Sequence, residues 1–218
     1  MEQAEIINQI RDKISINILI NQALIDNKQI EIHINIIETE KSSIKFTSEK
    51  VLRLISEKHP NLIYPYFGFF VKLLDSDNSF IKWGAIITLS NLAVVDSENQ
   101  FDKIFAKYFS LITASVMISA ANVIGNSWKI ADTKPVLISR IVDEILKLEK
   151  AKYYNKGKIS PECNNVIAGE AIDTFEKIIE KVKDKKKILA FVKRQLNNPR
   201  AKVKKKAERF IKIYGSIL

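Results

Sequence analysis

Trp128 and Asp132 stand four residues apart, a spacing that places an aromatic ring and a carboxylate on one face of a helix. No other pair in the chain looks as enzyme-like, and no companion arginine stands on a neighbouring helix. The same residues have a plainer role. Trp128, like Trp83, packs between helices, and Asp132 caps a helix beginning near Thr133. The two histidines, His33 and His59, lack a second histidine at metal spacing, and no Gly-rich phosphate loop occurs. The single cysteine, Cys163, cannot form an intramolecular disulfide or a Cys-based zinc site. It follows Ser160-Pro161-Glu162 in the first turn of a helix, where a thiolate is favoured, but a small half-buried residue is its simpler role. The sequence implies no metal, no cofactor and no catalytic residue, so a non-enzyme is expected.

Two polar groupings suit binding. Ser119, Asn122, Asn126 and Lys129 fall at i, i+3, i+7 and i+10, one stripe of a helix, and Asn91 occupies the position equivalent to Asn126 one repeat earlier. Amides there can donate and accept, which suits a peptide backbone; an ordinary wetted face is the alternative. Near the end, Lys202, Lys205, Lys206, Arg209 and Lys212 lie opposite the apolar side formed by Val203, Ala207, Phe210, Ile211 and Tyr214. Lys185, Lys186, Lys187, Lys193 and Arg194 precede them, and Lys152, Tyr153, Tyr154, Lys156 and Lys158 occupy an inserted loop. Residues 1–150 carry a net charge of −1 and residues 151–218 a net of +11, together the chain's +10. Such a cluster attracts phosphates or acidic proteins, or simply solubilises a terminal repeat. Arginine, the usual reader of phosphate and bases, accounts for three of those 18 basic residues, so weak, non-specific polyanion binding is expected.

The elements that hold these residues are helical. Apolar residues recur at helix spacing, as in Ile104, Phe105, Tyr108, Phe109 and Leu111, or Ile138, Ile141, Val142, Ile145 and Leu146. Polar breaks carry start and stop signals: Asp96, Ser160-Pro161-Glu162 and Asn198-Pro199 open helices, and Pro60 follows one. Residues 29–37 alternate like a strand, yet a lone strand would have no partner for its edge, and Ile30, Ile34 and Ile37 fit a helix. The 218 residues suit one domain. No apolar stretch approaches the ~20 residues needed to span a bilayer, and the first residues do not resemble a targeting segment. A soluble, cytoplasmic protein is expected, binding no membrane.

The helices pair, and the second helix of each pair repeats a pattern. Ile44-Lys45-x-x-Ser48-x-x-x-Leu52-x-x-Ile55 recurs as Ile81-Lys82-x-x-Ala85-x-x-x-Leu89-x-x-Leu92 and Val116-Met117-x-x-Ala120-x-x-x-Ile124. It returns as Ile167-Ala168-x-x-Ala171-x-x-x-Phe175-x-x-Ile178 and Val203-Lys204-x-x-Ala207-x-x-x-Ile211-x-x-Tyr214. A small residue at the fifth position lets helices approach, and a two-helix unit recurring about every 36 residues points to a solenoid. Six pairs follow: 2–13 with 15–26, 28–39 with 44–58, 61–74 with 78–95, 97–112 with 114–131, 133–150 with 160–182, and 184–197 with 199–215.

The run from Asp75 to Ala85, with Leu89 and Leu92, resembles the HEAT-repeat signature: a polar turn, then an aliphatic residue, a basic one, a small one and leucines behind. The resemblance covers most of residues 28–218, best over 43–55 and 75–92, and fades into a degenerate pair at 1–27. It implies an all-α, right-handed α-α superhelix of about six pairs, one armadillo-like domain over 1–218, with second helices on the concave face. It implies that Lys45, Lys82 and Lys204 bond a neighbouring turn acid such as Asp77, a ladder broken at Met117. The function implied is a scaffold that binds a protein partner on its concave face, through Asn91, Ser119, Asn122, Asn126 and Lys129. One alternative is a nucleic-acid-associated protein using residues 151–218. Another is a HEAT-like alkylpurine DNA glycosylase, a group that holds a cationic base with tryptophans and an aspartate; the match is limited to Trp128 and Asp132.

Overall fold

The computed structural model describes residues 2–215, and their regular structure is helical apart from one short hairpin. The chain divides into two compact units, Met1–Gln100 and Phe101–Leu218. The first contains α1 (Gln3–Arg11), α2 (Ile16–Ile25), α3 (Lys28–Thr39), α4 (Ile44–Lys58), α5 (Pro60–Ile63), α6 (Phe67–Leu73) and α7 (Ser79–Leu92). Residues 29–37 are helical, as α3, because Ile30, Ile36 and Ile37 reach one buried face together with His33. The helix expected over 61–74 is interrupted by a 3-10 turn at Tyr64–Tyr66, where Pro65 lacks the N–H that an α-helical ladder needs. α4 packs against α3 and α7, and the core of the unit is built from Leu52, Ile55, Phe70, Ile86 and Leu89.

The second unit contains α8 (Gln100–Ser110, whose first residue closes the first unit), α9 (Met117–Thr133), α10 (Ile138–Leu146), β1 (Tyr154–Asn155), β2 (Lys158–Ile159), α11 (Pro161–Ile178), α12 (Lys186–Gln195) and α13 (Ala201–Tyr214). α11 packs against α9 on one side and α13 on the other. Phe105, Ile124, Ile141, Phe175, Phe191 and Phe210 are fully buried or nearly so.

The repeated small residue is the best-read feature. Ser48, Ala85, Ala120, Ala171 and Ala207 are all at 0% exposure, as are Leu52, Leu89, Ile124 and Phe175 four residues on. Without a bulky side chain, each small position lets two helix backbones come together, and the larger residue one turn later fills the space beside it.

Several local expectations are corrected. Ser160 makes no side-chain capping bond; its backbone N–H donates to Tyr153 O at 2.9 Å, and Pro161 opens α11. Lys45 sits 5.6 Å from the Phe46 ring, and Lys45, Lys82 and Lys204 form no ion pair among the described residues. The inserted segment is a β-hairpin, Tyr154 pairing with Ile159 and Asn155 with Lys158. Its two turn residues, Lys156 and Gly157, have φ of 50° and 75°. Positive φ at both positions makes the tight turn that matches the twist of a hairpin, and glycine adopts it without strain.

Candidate functional site

Asp132 lies in the last turn of α9, not ahead of a new helix. The capping role is therefore corrected: its carboxylate accepts from Lys181 Nζ at 2.5 Å, tying α9 to the segment after α11. Lys177 Nζ stands 4.6 Å from the Trp128 ring centroid, and Lys129 Nζ stands 5.9 Å away. Cations already occupy both the ring and the carboxylate. Trp83, in the first unit, stacks edge-on against Phe80 at 5.3 Å.

The polar stripe proves uneven. Asn91 is buried at the α4–α7 contact, where its Nδ2 donates to Ser56 Oγ at 2.9 Å. Ser119 is buried in α9. Asn122 and Asn126 are half-buried, their Nδ2 groups donating back to Ile118 O and Asn122 O, each at 2.9 Å. That leaves Oδ1 and the second Nδ2 hydrogen of each for a partner. Lys129 is half-buried one turn further along.

The basic face also divides. Lys202, Lys205 and Lys212 are exposed and form no ion pair among the described residues. Lys206 and Arg209 are bound inward: Lys206 pairs with Asp173 and reaches Gly169 O, and Arg209 pairs with Glu176. Arg200 pairs with Glu162, Arg194 with Glu149 at 2.7 Å, and Lys187 with Asp143 at 2.6 Å. All three arginines after residue 150 thus join neighbouring helices. Sequence spacing could place Lys206 and Arg209 opposite the apolar side, but it could not show that α11 brings Asp173 and Glu176 to meet them, or that Asp143 and Glu149 meet Lys187 and Arg194. The hydrogen bond from Arg200 holds the exposed Glu162 carboxyl below its ordinary range, after a larger contribution from Asn165.

Two sets of contacts were not foreseen from the sequence, one at His33 and Glu49 and one beneath the inserted loop. In the first unit, His33 is fully buried; its Nδ1 shares a 3.1 Å hydrogen bond with Ser48 Oγ and its Nε2 finds no partner. Burial pushes its pKa down to about 4, so the ring is neutral. Glu49, also buried, is pushed up to about 7 by burial, against the pull of Arg53 at 3.1 Å. In the second unit, Tyr153 is fully buried rather than part of a basic surface loop. It donates its hydroxyl to Ile112 O at 2.6 Å, and burial raises its pKa. Tyr154 N donates to Ser115 O at 3.1 Å. Asn164 Nδ2 donates to Leu148 O and Ala151 O. The hairpin is thereby strapped to the turn between α8 and α9. The run Asn155-Lys156-Gly157 was the sequence signal for it.

Cys163 is buried. Among the described residues no group of three or more His, Cys, Asp and Glu is placed to hold a metal, and no helix is long and apolar enough to cross a membrane. No family model, curated protein or solved structure matches this chain.

Proposed function

We propose that the chain is a HEAT-like α-solenoid acting as a non-enzymatic scaffold for a protein partner. The observation that carries this is the side-by-side packing of second helices, α4 with α7 in one unit and α9, α11 and α13 in the other, each across a fully buried small residue. Stacked helix pairs expose a continuous row of second-helix side chains, and such rows serve as extended binding surfaces. On α9 the row offers Asn122, Asn126 and Lys129, with amide oxygens for backbone N–H groups and an ammonium for a carboxylate. Trp128 and Asp132 have structural partners in Lys177 and Lys181, which fits a packing role.

The exposed lysines of α13, Lys202, Lys205 and Lys212, support a second reading as a nucleic-acid-associated protein. Affinity capture with the full chain from a nuclease-treated extract, read by mass spectrometry, separates the two. A protein recovered in stoichiometric amount supports the scaffold. Recovery that disappears on nuclease treatment supports the second reading. Release of alkylated bases from DNA, lost in Asp132→Asn, would overturn both.

A further inference from the structure

The hairpin and the start of α9 form a surface with no role in the packing just described. Tyr154 is 48% exposed and Ile159, its cross-strand partner, 52%. The bond from Tyr154 N to Ser115 O sets the hairpin beside Val116, and Ile118 follows two residues on at the start of α9, each 44% exposed. The cross-strand pair Tyr154 and Ile159, with Val116 next to the strapped Ser115, leaves several large apolar side chains to water in one region of the chain. The fixing is firm beneath: Tyr153 is buried under the hairpin, and its hydroxyl is bonded to Ile112 O. Tyr153, just before β1, turns inward, while Tyr154, the first residue of β1, faces water.

The charge around this patch has one sign. Lys152, Lys156 and Lys158 are exposed and form no ion pair among the described residues. Residues 150–161 contain no Asp or Glu, and residues 110–122 contain no charged residue at all. The carboxylates that flank the segment along the chain are both engaged, Glu149 by Arg194 and Glu162 by Arg200 and Asn165. A second copy of this chain would bring the same lysines against these, which is repulsive. An acidic segment carrying aromatic or aliphatic side chains matches both features, its side chains covering the patch while its carboxylates meet the lysines.

We infer that the hairpin, with Val116 and Ile118, is a docking surface for an acidic, apolar-containing peptide segment of a partner protein. This rests on the scaffold function proposed above and names a second contact for it. The tight turn holds Lys156 at the tip with Lys158 in the strand beside it, so the charges steer encounter and the apolar pair retains the peptide.

Selection of a random peptide library on the intact chain tests this. The enriched peptides should combine Asp or Glu with Phe, Tyr, Leu or Ile. Their binding should weaken about tenfold or more in Tyr154→Ser with Ile159→Ser. It should also weaken in Lys156→Glu with Lys158→Glu. Circular dichroism of both variants should match the parent, since all four residues are exposed. Enriched peptides that ignore the hairpin variants but lose binding in Asn122→Ala with Asn126→Ala would overturn this inference and leave the scaffold standing. Selection of basic or uncharged motifs, or equal competition by duplex DNA, would overturn it as well. So would self-association of the chain abolished by Tyr154→Ser, which would make the occupant a second copy. Failure to enrich any peptide would count against both the surface and the scaffold.

Discussion

The Glu49 carboxylate lies over Gly84, so close that a Cβ at position 84 would stand 1.9 Å from Glu49 Oε1. Glycine in the middle of α7 leaves room for that side chain, although its flexibility costs helix stability of about 1 kcal/mol relative to alanine. Gly84→Ala should destabilise the protein by about 1–2 kcal/mol, since the buried side chain must be displaced. In a Glu49→Ala background the same change should stabilise by up to about 1 kcal/mol. Urea denaturation of the four proteins measures the coupling. Equal effects in both backgrounds would mean that Glu49 does not fill this space.

Glu49 and His33 give opposing pH dependences. The folded-state pKa of Glu49 is raised from 4.5 to about 7, so its contribution is most favourable below pH 4.5 and declines as the pH rises to about 7. That of His33 is lowered from 6.5 to about 4, so its contribution is intact above pH 6.5 and is lost as the pH falls toward 4. Glu49→Gln removes the first slope and exposes the second. The variant should be more stable than the parent above pH 7 and should lose up to about 3 kcal/mol between pH 6.5 and 4, more than the parent loses. Denaturant midpoints across that range test the prediction; parallel curves for the two proteins would refute it.

Tyr153 ties the hairpin down. Tyr153→Phe keeps the ring but strands the Ile112 carbonyl, at an expected cost of about 1–3 kcal/mol. Limited proteolysis should then cut within residues 152–160 before cutting any helix. An unchanged stability and cleavage pattern would show that the bond carries no load.

Much of this was legible in the sequence because burial and periodicity are local signals. The small residues Ser48, Ala85, Ala120, Ala171 and Ala207 could be picked out by spacing, and each is fully buried. What failed depended on partners distant in sequence. Asp132 resembles a cap until Lys181, 49 residues later, is placed beside it. Lys206 and Arg209 look like free cations until α11 presents Asp173 and Glu176. Asn91 reads as a surface amide, yet Ser56 on α4 takes it into the interior. The hairpin was missed for a different reason: its strands are two residues each, too short for alternation to register, and the Lys156-Gly157 turn was the available cue.

The division of the basic face predicts separate effects of its lysines. Lys202→Ser, Lys205→Ser and Lys212→Ser together should leave thermal stability unchanged and reduce the slope of log K against log salt for duplex DNA by about 2–3, at roughly 0.9 per phosphate contact. Lys206→Ser should instead lower stability, because Asp173 loses its partner across a half-buried contact. A stability loss in the triple variant, or none in Lys206→Ser, would contradict this assignment.

The scaffold claim itself is tested by equilibrium titration of the purified chain with the protein recovered by capture, in the presence of nuclease. Saturable binding is predicted, persisting without nucleic acid and weakened about tenfold or more by Asn122→Ala with Asn126→Ala. Binding that requires nucleic acid, or that is unaffected by those substitutions and by every hairpin variant, would contradict it.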